Sequence, residues 1–325
     1  GREVLLGYKL MVCFSHMKHG SKQLGILLAL LAGVLWSSVG VLVRYAEGIT
    51  PLGISSMRSL GAASILLVGI LVMGKGKELK SSLTHWKFWL FLGFVMNLHW
   101  ILSVSSFRNT FLANAQMLMS TPPLFLMFLG AVFFKDKLKL RDFGLAGLTF
   151  LGIFLLISSH GISLEEGILL GDYYALAAAL IFCVYALLVR KTKDSFPFYI
   201  MMFWIFGLAG LFMLGESMVF DLPLFEGEVT IQSWLALVGI TLGGTLIGHT
   251  GFNISLRILR SDVATLLTLS NPVLIAIWGY ILFDEIVNAQ GVAGMALTLM
   301  GLYFIIKSHA PPDNLWRRMW KRLRG

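Results

Sequence analysis

His99 and His249 each lie deep inside a long apolar run, where an imidazole is costly unless it meets water, a ligand or a partner. Around His249, the polar residues Thr241, Thr245 and Asn253 recur every fourth position and so share one helical face. Gly239, Gly243, Gly244, Gly248 and Gly251 lie beside that stripe. Two readings are open. Small and polar residues can be interhelical glue, worth under about 1 kcal/mol per bond, or they can line a path for a solute. In the run holding His99, Met96, Trp100 and Ser103 share its arc, with Asn97 at the edge. Imidazole and indole beside polar groups suit an organic molecule with an apolar body and a few polar atoms. A neutral histidine donates and accepts at once, and it would also have to serve in any proton coupling. The acids Asp172, Glu216, Asp262, Asp284 and Glu285 all fall near the ends of apolar runs.

Further candidates are spread along the chain. Asn114 and Thr121 share one helical face, Gln116 and Ser120 another, and Asn271 precedes Pro272. Pro123 and Pro272 sit mid-run, where each removes a backbone donor and disturbs the carbonyl four residues back, Met119 and Thr268. Such freed carbonyls either pack as a kink or line a wet cavity. Trp36 and Tyr185 are candidate aromatic walls, against a lipid-facing or packed role. Arg58 falls about 10 Å into its helix at 1.5 Å per residue. It either snorkels to the surface or faces the interior as an anion site or structural pair. No H-E-x-x-H, G-x-S-x-G or G-x-x-x-x-G-K-[ST] occurs, which argues against an intramembrane enzyme and an ATP-driven pump. Two cysteines, Cys13 and Cys183, make neither a disulfide framework nor a metal cluster, and no cofactor is expected.

The elements that must position these residues are membrane helices. Charged residues are 13% of the chain and hydrophobic ones 57%, which excludes an ordinary soluble domain. Ten runs are long and apolar enough to cross: 24–43, 51–73, 87–107, 110–134, 143–158, 168–189, 197–219, 232–254, 263–283 and 290–306, hereafter spans 1 to 10. The chain also repeats itself. Arg108, Ala115, Pro123, Gly130, Phe134, Thr149 and Gly152 recur 149 positions later as Arg257, Ala264, Pro272, Gly279, Phe283, Thr298 and Gly301. "LGILLALLAGVLWSSVGVLVR", ending at Arg44, lies over "LGDYYALAAALIFCVYALLVR", ending at Arg190. The expected fold is therefore all-α and integral to the membrane, ten transmembrane helices as two five-helix repeats. Five is odd, so the second repeat is inverted, an arrangement that yields two mirror-related conformations, one open to each side.

The expected limits are a cytoplasmic segment 1–23, a first repeat 24–158, a second 167–307 and a basic tail 308–325. All but Arg44, Arg58 and Arg108 of the 26 lysines and arginines fall on one side of the alternating loops. The positive-inside rule puts that side, and both termini, in the cytoplasm. A cleaved signal is not expected ahead of span 1, and Met17 is the expected natural start. In the tail, Leu315, Trp316, Met319, Trp320 and Leu323 oppose Arg317, Arg318, Lys321 and Arg322, which reads as an interfacial helix on anionic lipid. The basic charge thus suits a membrane surface, and nucleic acid is not an expected partner.

The segments "ANAQMLMSTPPLF" and "VATLLTLSNPVLI", the glycines of spans 5 and 10, and the acid in "FDEIV" resemble the drug/metabolite transporter superfamily, EamA-type. The first repeat keeps a carboxylate at the matching position, Asp136 in "FKDKL". The resemblance covers roughly 24 to 307. It implies a secondary carrier of a small organic metabolite, an amino acid or related compound, often an exporter working by alternating access. It places a central cavity among spans 1, 3, 4, 6, 8 and 9. A channel or a membrane-embedded sensor is the alternative.

Overall fold

A lipid-embedded chain must satisfy its backbone within each crossing segment, and helix is the local solution. The structure, a computed structural model, describes residues 22–134, 138–159, 168–192, 195–259 and 267–309. Among these, nine helices are long and apolar enough to cross a membrane, and Ser270–Phe283 is a shorter apolar one. Span 1 is Lys22–Tyr45, span 2 Pro51–Val72, span 3 Trp86–Asn109 and span 5 Leu140–Ser158. Span 6 is Ile168–Thr192, span 7 Phe198–Val219 and span 10 Ala289–His309. Leu27, Val68, Phe91, Phe154, Leu211, Ile277 and Phe304 point outward, as the lipid face of such a bundle requires. The expected interfacial tail falls almost wholly outside the described residues, as does the segment 1–21.

The repeat is visible in packing. Spans 5 and 10 meet antiparallel with their backbones in contact. A Cβ on Gly152 would collide with Thr298, and one on Gly301 would collide with Thr149. Gly152 and Gly301 are repeat mates, as are Thr149 and Thr298, so the contact is its own mirror, the mark of a two-fold relation. Close approach of this kind is the physical reason for glycine at both positions.

Three spans are interrupted, and one of them, span 8, carries part of the site. Span 4 is two helices, Leu112–Met119 and Pro122–Phe134. The prolines expected to kink a continuous helix instead start the second one, where a missing N–H costs nothing. The break closes on itself. Ser120 N donates to Met117 O at 3.1 Å and Thr121 N to Leu118 O at 3.2 Å. Thr121 Oγ1 also donates to Leu118 O, at 2.6 Å. Pro272 is likewise the third residue of the helix Ser270–Phe283 in span 9. Span 8 runs as α-helix over Ile231–Gly239, π-helix over Ile240–Gly248 and α-helix again over His249–Ile258. In a π segment the backbone bonds reach five residues rather than four, so each residue turns the chain less than in an α-helix. The expected straight stripe from Thr241 to Asn253 is broken there, and His249 leaves the line that regular helix would give it.

The 75–87 connection, expected as a loop, folds as a short helix, Gly76–Ser82, and one 3-10 turn. Tyr199 bonds to Glu78, while Trp89 Nε1 and Trp204 Nε1 each donate to Ser82 at 2.8 Å. At the opposite end of the molecule, the 44–53 segment is sewn to the 222–228 loop. Thr50 Oγ1 donates to Pro223 O at 2.9 Å, and Glu226 N donates to Gly48 O at 2.8 Å.

Candidate functional site

Six side chains converge where the first-repeat spans 1, 2 and 3 face the second-repeat spans 7 and 8. Trp36 of span 1 packs on His249 with ring centroids 5.2 Å apart, and on Phe252 at 5.1 Å. Trp100 of span 3 lies 5.5 Å from Phe206 of span 7 and 6.4 Å from His249. Phe206 is 6.2 Å from His249. The Arg58 guanidinium of span 2 stands over the Trp100 ring, 5.1 Å from its centroid. Local chemistry explains part of the gathering. Trp36 Nε1 donates to Gly244 O at 3.1 Å, which ties span 1 to the π segment. A Cβ at Gly248 would lie 2.8 Å from Trp36 Nε1, so that seat needs glycine.

Arg58 is 4% exposed. The near end of span 2 is seven residues away, and the guanidinium lies against Trp100 within the aromatic cluster. Among the described residues no carboxylate pairs with it, and its Nε is buried without a hydrogen-bond partner. Burying one charge costs several kcal/mol even after relaxation. A desolvated cation–π contact returns about 2 kcal/mol.

The His249 imidazole makes no hydrogen bond among the described residues, and the residue is half-buried. His99 adjoins the cluster from the other side of span 3. Its Nδ1 sits 2.9 Å from Ala178 O of span 6, and its ring packs on Phe182 at 5.3 Å. Phe182 in turn touches Tyr185 at 5.4 Å, so Tyr185 stands one ring further out.

The other expected residues lie elsewhere. On span 8 the hydroxyl of Thr241 donates to Leu237 O at 2.8 Å and that of Thr245 to Ile240 O at 3.0 Å. Asn253 Nδ2 donates to His249 O at 2.8 Å. All three spend their donors on their own helix. Asn97 points away from His99, because two helical residues are about 200° apart at 3.6 per turn. Its Nδ2 donates to Glu216 Oε1 at 2.5 Å. Glu216 lies near the end of its helix, as expected, and its side chain, leaning toward the helix N-terminus, meets Asn97 of span 3. Asn114 is fully buried beside Asp172, which accepts from Thr110 Oγ1 at 2.7 Å. Asn271 is buried with its Oδ1 unpartnered, near the start of its helix.

Phe206 and Phe252 were not among the residues singled out from sequence. A phenylalanine within an apolar run carries no signal of its own; only the neighbours that tertiary packing supplies distinguish it. No group of three His, Cys, Asp or Glu able to hold a metal occurs among the described residues.

A multi-pass helical protein with a polar and aromatic cluster between two inverted halves is the architecture of a membrane carrier. The chain belongs to the EamA-like transporter family, whose pattern it matches twice, over residues 23–158 and 169–307. It is a transporter rather than an enzyme. An uncharacterized transporter of Archaeoglobus fulgidus is 21% identical over 293 residues, covering 90% of this chain and 98% of the relative. A solved crystal structure aligns over 92% of this chain and 99% of its own with TM-score 0.61 and 17% identity, which supports the fold alone.

Proposed function

We propose that this transporter carries a small organic metabolite, an amino acid or related compound, by alternating access between its two repeats. The observation that carries the reading is the composition of the cluster: Trp36, Arg58 and Trp100 come from the first repeat, and Phe206, His249 and Phe252 from the second. Rocking one half against the other therefore opens and remakes the site, which is what couples binding to translocation. Export is the direction the family resemblance favours. Counterflow tests the mechanism. Protein in liposomes preloaded with unlabelled amino acid should transiently concentrate the labelled one, with saturation. Steady single-molecule current without counterflow would make it a channel.

We infer that the end bearing the 75–87 and 138–142 connections faces the cytoplasm, because the lysines and arginines concentrate there. A single cysteine at Glu226 should react with an impermeant maleimide added to intact cells, and one at Lys77 should not. The reverse pattern would invert the topology.

A further inference from the structure

Resting on the carrier reading, we propose that the substrate is a monoanionic carboxylate on a flat apolar body, and that Arg58 binds its charge. The resemblance puts the cavity among spans 1, 3, 4, 6, 8 and 9. In this chain spans 2 and 7 contribute as well, through Arg58 and Phe206. Arg58 is buried, lacks a counter-charge among the described residues, and has an orphaned Nε. A guanidinium offers donors in a planar fork that fits a carboxylate with two parallel bonds. It is one fixed charge, which suits a monoanion better than a phosphate dianion. The remaining walls are Trp36, Trp100, Phe206 and Phe252, rings that favour an aromatic or flat aliphatic partner. The His249 imidazole makes no hydrogen bond among the described residues, so the ring can meet a second polar atom on the same molecule. The charge, the rings and the free imidazole together describe one ligand class, aryl-alkyl acids that carry a carboxylate and no ammonium.

The test is binding to the full chain in lipid nanodiscs, read by tryptophan fluorescence. The probes are phenylacetate, L-phenylalanine, indole-3-acetate, phenylethylamine, benzyl alcohol and chloride. At least one aromatic carboxylate should bind tenfold or more tightly than phenylethylamine and benzyl alcohol. Arg58→Met should remove that preference and Arg58→Lys should keep part of it. Arg58→Met should also unfold at the wild-type temperature or above, since an unpaired buried charge is replaced by an apolar side chain of like length. The proposal is overturned if the amine binds best, if Arg58→Met binds the carboxylates as wild type does, or if no carboxylate of the set binds. Chloride binding that displaces nothing organic would make Arg58 an inorganic anion site and would also overturn it. The two readings fail separately. Arg58-dependent binding without counterflow removes transport and leaves the anion site. Counterflow that ignores Arg58 does the opposite.

Discussion

Arg44 and Arg58 are neighbours in sequence and opposites in structure. Arg44 ends span 1, one quarter exposed, with its Nη2 2.7 Å from Glu285 Oε1. It also donates to Phe107 O and Thr110 O, each at 2.8 Å. Glu285, 8% exposed, accepts in addition from Leu112 N at 2.8 Å. That knot ties the ends of spans 1, 3 and 9 to the start of span 4. Arg58 is more deeply buried and has no such partners among the described residues. The same side chain is thus ion-paired in one place and, among the described residues, without a counter-charge in the other. Burial alone does not separate the roles; satisfaction of the charge does.

Glu285→Ala should have the largest effect and would break the comparison most directly. It takes the counter-charge from Arg44, which keeps only its two carbonyl acceptors, and removes the side-chain acceptor of Leu112 N. A loss of about 3 kcal/mol in stability is expected, the scale for removing one partner of a buried pair. Thermal unfolding of the solubilised protein checks it. A Glu285→Ala protein that unfolds at the wild-type temperature would mean the knot holds nothing.

His249→Ala and Asn253→Leu sharpen the same distinction at lower amplitude. His249 is unbonded, so its loss should raise the half-saturation concentration for counterflow severalfold with little change in unfolding temperature. Asn253 is bonded to its own helix at 2.8 Å. Its replacement should leave the half-saturation concentration unchanged and cost no more than about 1 kcal/mol, the scale of one interhelical or local hydrogen bond. Equal effects of the two substitutions on counterflow would restore the continuous polar stripe that the π segment argues against.

Much of the fold was legible in the residues. Apolar length marked the crossing helices; the cap of span 2, with Gly53 N bonded to Thr50 Oγ1 at 3.0 Å, was not singled out. The prolines marked real interruptions, although as helix starts rather than kinks. Trp36, Trp100, His249 and Arg58 were singled out and do converge. Thr245 and Asn253 were singled out with them and turn their donors to their own helix, because back-bonding competes with any ligand for a hydroxyl or amide. Asn97 was grouped with His99 and faces Glu216 instead.

What the sequence determined by itself follows from local, additive quantities. Hydrophobicity summed over a run decides that it crosses, and a repeated pattern of odd helix number decides inversion, with no reference to distant residues. Pairing is different. Whether an arginine is satisfied depends on Glu285 reaching Arg44 across 241 positions and on no acid among the described residues reaching Arg58. The phase of His249 depends on the π segment, which Trp36 supports from 208 positions away. Those outcomes were decided by tertiary structure, because a buried charge finds its energy only in the neighbours that folding brings to it.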